Sequence, residues 1–223
     1  MSTAWSDAVF GSGEETYAEH AVFTSWAPKP PQVSFEEAAG FPTPFETALR
    51  VLDEAGVHSG HTVLINGAGG GVGTAAVQFA IVRGANVIGV AGPSNQDCLA
   101  SLGAVPTTYG PGLADRVRAL APTGVDAALD IAGSGVISEL AELTGDAARV
   151  VSIADFGAPE HGARISTGFD RDKTRALSEG AHLAAAGRLT LPVTQAFPLT
   201  RAGAAQAASA TGHVRGRIVV TVP

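Results

Sequence analysis

A run of glycines between residues 67 and 73 is the segment of the sequence best suited to binding phosphate. Gly67, Gly70 and Gly73 are spaced three apart within Asn66-Gly67-Ala68-Gly69-Gly70-Gly71-Val72-Gly73. The apolar run Val63–Ile65 precedes this segment and a helical pattern follows it, as in loops that bind dinucleotides. Glycines permit a tight turn and close approach to a pyrophosphate, and the helix N-terminus offers N–H groups to it. The alternative is a plain tight turn.

The end of the next predicted strand indicates which dinucleotide the loop would bind. In sites for NAD, an Asp or Glu about 20 residues further on hydrogen-bonds to the ribose hydroxyls. Here the strand ends Val90-Ala91-Gly92-Pro93-Ser94-Asn95, which contains no acidic residue. Ser94 and Asn95 can donate hydrogen bonds to a 2′-phosphate, so the sequence favours NADPH over NADH. The same two side chains are also suited to cap the following helix.

Alternating strand and helix patterns must position this loop. Apolar runs predict strands over 62–66, 86–91, 105–109, 125–131 and 149–154, with helices over 70–82, 95–102, 113–120 and 137–143. The alternation predicts right-handed βαβ units and a doubly wound, parallel Rossmann sheet of the α/β class. Because ligands bind beyond the carboxyl ends of such strands, the loops that begin near Ile131 and Ile153 join the candidate site.

Composition limits the class of protein further. The chain has 223 residues, of which 45% are hydrophobic and 16% charged, and its formal net charge is −7. This is typical of a folded protein, and the acidity argues against a nucleic-acid or anionic membrane surface. No apolar run approaches ~18 residues and the N-terminus does not resemble a signal peptide, so we expect a cytoplasmic protein without membrane contact. The single cysteine, Cys98, is expected to be buried in a helix.

Other kinds of catalytic site find little support in the sequence. The six histidines are scattered, and His58 and His61, three apart, are predicted to lie in a solvated loop, so we expect no metal site. A G-x-S-x-G nucleophile elbow is absent, and the adjacent pairs Glu14-Glu15 and Glu36-Glu37 each point apart.

Further segments make the chain similar to a known family. The matching segments, in the family's order, are Asp7–Gly11, Thr16–His20, Pro28–Pro30, Glu36–Ala39, Glu46–Leu49, Asn66–Gly73, Leu102–Ala104, Val125–Asp130, Phe197–Leu199 and Gly212–Arg217. Over nearly its whole length the chain resembles the zinc-independent medium-chain dehydrogenase/reductases, the quinone oxidoreductase-like proteins. The resemblance implies that most of the family's N-terminal GroES-like barrel is absent. It divides the chain into a barrel remnant with connector (1–45), a Rossmann domain (46–190) and a segment that returns to the remnant (191–223).

The resemblance also implies roles for individual residues. Gly70, Gly71 and Val72 match the loop over the pyrophosphate, and Thr47 matches a position that faces the nicotinamide. Positions near the adenosine are matched by Ser94, Asn95 and Tyr109, and the loops that flank the cofactor by Ile131, Ala132, Ile153 and Ala154. Tyr17, where the barrel remnant would meet the Rossmann domain, is a candidate proton donor; simple packing is the alternative.

The function that the resemblance implies is hydride transfer from NADPH to a small molecule, either a quinone or a conjugated enone. Two alternatives stay open. A cyclase, isomerase or accessory subunit on the same scaffold would have no redox role, and the missing barrel motivates this second hypothesis. A purely structural domain is the third hypothesis, which the intact glycine loop disfavours.

The segment Arg164–Phe169 is predicted to be an edge strand of the sheet. An open edge leaves backbone N–H and C=O groups unpaired, and pairing the same strand across a two-fold axis would satisfy them. The resemblance implies a homodimer of this kind, formed through residues 164–169. The alternative is a monomer whose edge is covered by the predicted helix over 172–186.

Overall fold

The computed structural model describes residues 8–13, 16–168, 173–212 and 216–222. Contacts divide the chain into two compact units. The first consists of Met1–Glu46 with Asp170–Pro223, and the second is Thr47–Phe169.

The N-terminal part of the first unit begins with an antiparallel strand pair. Strand β1 (Val9–Ser12) pairs with β2 (Ser25–Pro28). Phe10 on β1 is buried, and its ring packs edge-on against Phe41 with the ring centroids 5.8 Å apart. Helix α1 (Phe35–Ala39) begins with a capping box, and α2 (Pro42–Glu54) follows it.

The Thr47–Phe169 unit contains a six-stranded parallel sheet. Its strands are β3 (Thr62–Asn66), β4 (Asn86–Val90), β5 (Val105–Thr107), β6 (Ala127–Asp130), β7 (Val150–Ser152) and β8 (Arg164–Ile165), in the order β5-β4-β3-β6-β7-β8. The predicted doubly wound α/β sheet is therefore confirmed. From β3 the chain adds β4 and β5 on one side, and it then crosses back to add β6, β7 and β8 on the other side. Ligands bind at such a switch point in strand order, here between β3 and β6, beyond the carboxyl ends of the strands. Edge strand β8 has only two residues, and Phe169 of the predicted strand lies outside the described residues.

Helices connect these strands and cover the sheet. They are α3 (Gly71–Val82), α4 (Gln96–Ser101), α5 (Leu113–Leu120) and α6 (Ile137–Thr144), and a 3-10 turn over Pro93–Asn95 precedes α4. Helix α3 is the central one, and its residues 73–80 are all buried. Small side chains such as Ala75, Ala76 and Ala80 allow it to lie close to the sheet, which fixes the position of its N-terminus.

The C-terminal part of the first unit follows with α7 (Thr174–Ala185), β9 (Val193–Pro198), α8 (Ala202–Ala210) and β10 (Arg217–Thr221). Strands β9 and β10 pair in parallel, as a helical crossover between them allows. Helix α7 packs against β2, so it belongs to this unit, whereas the sequence places residues up to 190 in the Rossmann domain. In the part of the chain that is described, no helix has the length and apolar character needed to cross a bilayer.

Candidate functional site

The glycine loop between β3 and α3 is held tightly against its surroundings. Gly67 has a positive φ of +85°, and a Cβ on it would lie 3.0 Å from the backbone N of Ala132. A Cβ on Gly73 would lie 2.1 Å from the Gly67 carbonyl oxygen. The N–H groups of Gly67 and Ala68 donate to the Val90 carbonyl at 3.1 and 3.0 Å. These two glycines therefore serve close packing of loop, helix and sheet.

Gly70 has a different role, because it faces open space. It is the N-cap of α3, with φ −82° and ψ 173°, and a Cβ on it would meet only the Gly67 carbonyl oxygen, at 3.8 Å. The backbone N–H of Thr74 donates to the Gly70 carbonyl at 2.8 Å, so the N–H groups of residues 71–73 precede the regular helical ladder. Together with the helix dipole they form a cradle that suits a pyrophosphate.

The loop after β4 is fixed by a side chain that sequence reasoning missed. The Gln96 amide donates to the carbonyl oxygens of Ala91 (3.0 Å), Gly92 (3.2 Å) and Thr107 (3.2 Å). It thereby joins the ends of β4 and β5. An amide at the start of α4 was the available signal, but its partners depend on how the two strands are paired.

Three of the residues predicted near an adenosine lie around this loop. The ring of Tyr109 is 63% exposed, and its Oη lies 3.7 Å from the place that a Gly92 Cβ would take. The Asn95 amide nitrogen lies 2.7 Å from the corresponding place on Gly69. Ser94 is exposed in the 3-10 turn. The structure therefore brings Asn95 to the glycine loop and gives Tyr109 a free ring face.

The loops after β6 and β7 meet each other at the same edge of the sheet. Gly133 has a φ of +64°, and a Cβ on it would lie 2.8 Å from the Ala154 Cβ. Ala132 in turn lies against Gly67. Ile131 and Ile153 are half-buried, whereas Ala132 and Ala154 are exposed. The loop after β6 therefore lies against both the glycine loop and the loop after β7.

Beneath these loops lies a polar network that sequence reasoning also missed. The fully buried Asp130 accepts hydrogen bonds from Asn66 Nδ2 (2.9 Å) and Gly133 N–H (3.0 Å) at Oδ1, and from Ser152 Oγ (2.8 Å) at Oδ2. Asn66 Nδ2 also donates to Ser134 Oγ at 3.1 Å. Asn66, Asp130 and Ser152 are the last residues of β3, β6 and β7 and are in register. The sequence pattern that could have indicated this network is three apolar runs, each of which ends in a polar residue.

The two candidate catalytic hydroxyls fall into different units. Thr47 is buried on α2 in the Thr47–Phe169 unit. Tyr17 is 56% exposed in the first unit, where it lines an open cavity of about 1230 Å³ together with Arg217. Burial lowers the pKa of the Arg217 guanidinium, and Tyr17 partly opposes this shift.

Donors for a metal ion are not clustered in the described part of the chain. No group of three or more His, Cys, Asp or Glu side chains there could hold an ion. The ring centroids of His58 and His61 lie 3.4 Å apart, and no third donor from the described ranges joins them. Cys98 is exposed on α4, so the prediction that it is buried was wrong: the buried face of this short helix is occupied by Leu99.

The comparison with protein families agrees with this fold. Residues 102–220, more than half of the chain, match the family model described as zinc-binding dehydrogenase. The chain belongs to the medium-chain dehydrogenase/reductase family. The family description names zinc, but the donor side chains of the described residues do not fit a zinc site.

Solved structures and a curated relative resemble the chain over most of its length. A crystallised NAD-dependent alcohol dehydrogenase is 30% identical with a TM-score of 0.81, over 93% of this chain and 65% of that one. The quinone oxidoreductase of Thermus thermophilus, solved also with NADPH, is 30% identical with a TM-score of 0.74, over 92% and 73%. The erythronolide synthase EryA2 of Saccharopolyspora erythraea is 30% identical over 84% of this chain and 6% of its own length. The chain thus spans about two thirds of the alcohol dehydrogenase and a small part of the synthase.

Proposed function

We propose that the chain binds NADPH along the carboxyl edge of its six-stranded sheet and reduces a quinone or a conjugated enone. The observation that carries the proposal is the cradle at Gly70, where an open backbone position adjoins the N–H groups that begin α3. Membership of an oxidoreductase family supports it. When bound, the nicotinamide supplies the hydride, so the protein needs no activated nucleophile.

The tasks of the chain's own residues follow from their positions. The N–H groups of residues 71–73 bind the pyrophosphate, and the free face of Tyr109 packs against the adenine beside Gly92. The loops that carry Ala132 and Ala154 cover the other half of the dinucleotide. Thr47, which belongs to the same unit as the sheet, is the candidate to orient the nicotinamide.

NADPH should bind more tightly than NADH, by about tenfold or about 1.4 kcal/mol. The turn that follows β4 carries no carboxylate to repel a 2′-phosphate, and its Ser94 is exposed. Titration of the chain with each dinucleotide, followed by nucleotide fluorescence, measures the two dissociation constants. Ser94→Asp, which adds a carboxylate there, should shift the preference towards NADH. Equal constants for the unmodified chain would contradict the assignment.

Turnover separates this function from a role without redox chemistry. Mixed with NADPH and a series of quinones and small enones, the chain should consume NADPH at a rate that saturates with substrate. Tight NADPH binding without consumption of any acceptor would instead favour a cyclase, isomerase or accessory subunit on this scaffold.

Turnover should also be independent of added zinc and unchanged by prolonged dialysis against EDTA. The reason is the scattered donor set of the described residues. Metal analysis of the dialysed protein checks that any adventitious ion has been removed. Loss of turnover on dialysis, restored by zinc, would overturn the zinc-independent assignment.

A further inference from the structure

We infer that Asp130 is a positioning residue, which holds the two loops beyond β6 and β7 in the arrangement that receives the nicotinamide half of the dinucleotide. The inference rests on the proposed function and adds a residue to it. Asp130 does not face the cleft itself, since it is fully buried. It acts through the loops that it anchors.

The anchoring is direct on both sides. Oδ1 of Asp130 accepts the N–H of Gly133, which belongs to the loop after β6. Oδ2 accepts Ser152 Oγ, and the same hydroxyl oxygen accepts the N–H groups of Ala154 (3.1 Å) and Asp155 (2.9 Å) in the loop after β7. One carboxyl group therefore organises both loops, and a fully satisfied network of this kind is rigid.

The network requires two acceptor oxygens at position 130. An asparagine would keep one oxygen for Asn66 and Gly133, but would turn an N–H towards Ser152 Oγ. That oxygen already accepts two backbone N–H groups and donates its own hydrogen, so the new donor would have no free acceptor. The nearly isosteric change Asp130→Asn should therefore loosen the loop after β7.

The sheet order separates this effect from the adenosine end of the site. The turn after β4 and Tyr109 after β5 lie on one side of β3, whereas β6 and β7 lie on the other. Loosening the loops beyond β6 and β7 should weaken contacts to the nicotinamide half and spare those to the adenosine. General destabilisation would weaken both.

The test uses calorimetry to measure the affinity of each variant for NADPH and for its fragment 2′,5′-ADP. Asp130→Asn should raise the dissociation constant of NADPH about tenfold and change that of 2′,5′-ADP less than about twofold. Ser152→Ala, which removes the shared hydroxyl without adding bulk, should give the same pattern if the asparagine variant folds poorly. Asp126→Asn is the matched control, because Asp126 also accepts a backbone N–H, from Thr62 at 2.8 Å. This contact lies before β6, at the amino ends of the strands and away from the loops that Asp130 holds.

Amide hydrogen exchange without ligand gives a second readout. Exchange at Gly133, Ala154 and Asp155 should accelerate in Asp130→Asn and stay unchanged in Asp126→Asn. The inference is overturned if Asp130→Asn lowers the affinity for both ligands equally or for neither. It is also overturned if amides throughout the sheet lose their protection from exchange. Failure of the unmodified chain to bind either ligand would refute the proposed function instead, and exchange at these three amides would still decide whether Asp130 holds the loops.

Discussion

Replacing Gly70 by aspartate should weaken NADPH binding about 100-fold, or by about 2.8 kcal/mol. The added side chain would enter the open space at the start of α3, and its carboxylate would accept from the N–H groups that the pyrophosphate needs. The fold should survive, because Gly70 has an extended backbone with φ −82° and aspartate is favoured at an N-cap. Calorimetric titration measures the affinity, and thermal unfolding checks that the variant is folded.

Gly70→Asn is the control for this experiment. Asparagine has nearly the same size and is also a good N-cap, but carries no charge. Gly70→Asn should lower the affinity for NADPH about tenfold. The further loss of affinity in Gly70→Asp then reports repulsion between the carboxylate and the phosphates. An aspartate variant that binds NADPH as tightly as the unmodified chain would place the pyrophosphate elsewhere.

Replacing Ile165 by proline should convert a homodimer into a monomer. We propose that strand β8, at the edge of the sheet, pairs with its copy across a two-fold axis. The Ser166 N–H donates to the Ser152 carbonyl of β7 at 2.8 Å, so the N–H of Ile165, one residue earlier, points to the open edge. Proline removes that outward donor and leaves the contact with β7 in place.

Ile165→Val is the matched control, since valine keeps the N–H and favours a strand. Light scattering at micromolar concentration should give the dimer mass for the unmodified chain and for the valine variant, and the monomer mass for the proline variant. A monomeric unmodified chain would refute the dimer. A dimer that tolerates the proline would locate the interface on another surface.

Local patterns were sufficient to predict the sheet and its glycine loop. The apolar runs at β3, β4 and β6 are buried strands, and each is followed by a helix. The loop at Gly67 needs only neighbours along the chain to be recognised. Its geometry could not be predicted to the same extent, because the close approach of Ala132 depends on the pairing of β3 with β6.

Features that depend on contacts between residues far apart along the chain could not be predicted from the sequence. Residues 9–12 form a strand whose Phe10 packs on Phe41, which is far away along the chain. The Asp130 network joins the ends of three strands whose register is set only when the sheet forms. Gln96 bridges two strand ends for the same reason.

A crystal structure of the chain with NADPH would show whether the dinucleotide binds along the carboxyl ends of the six strands. We expect electron density for the pyrophosphate against the backbone of residues 70–73, with the adenine beside Tyr109 and the nicotinamide towards Ala132 and Ala154. Density for NADPH at another surface, or a structure without bound nucleotide after soaking at saturating concentration, would contradict this binding mode.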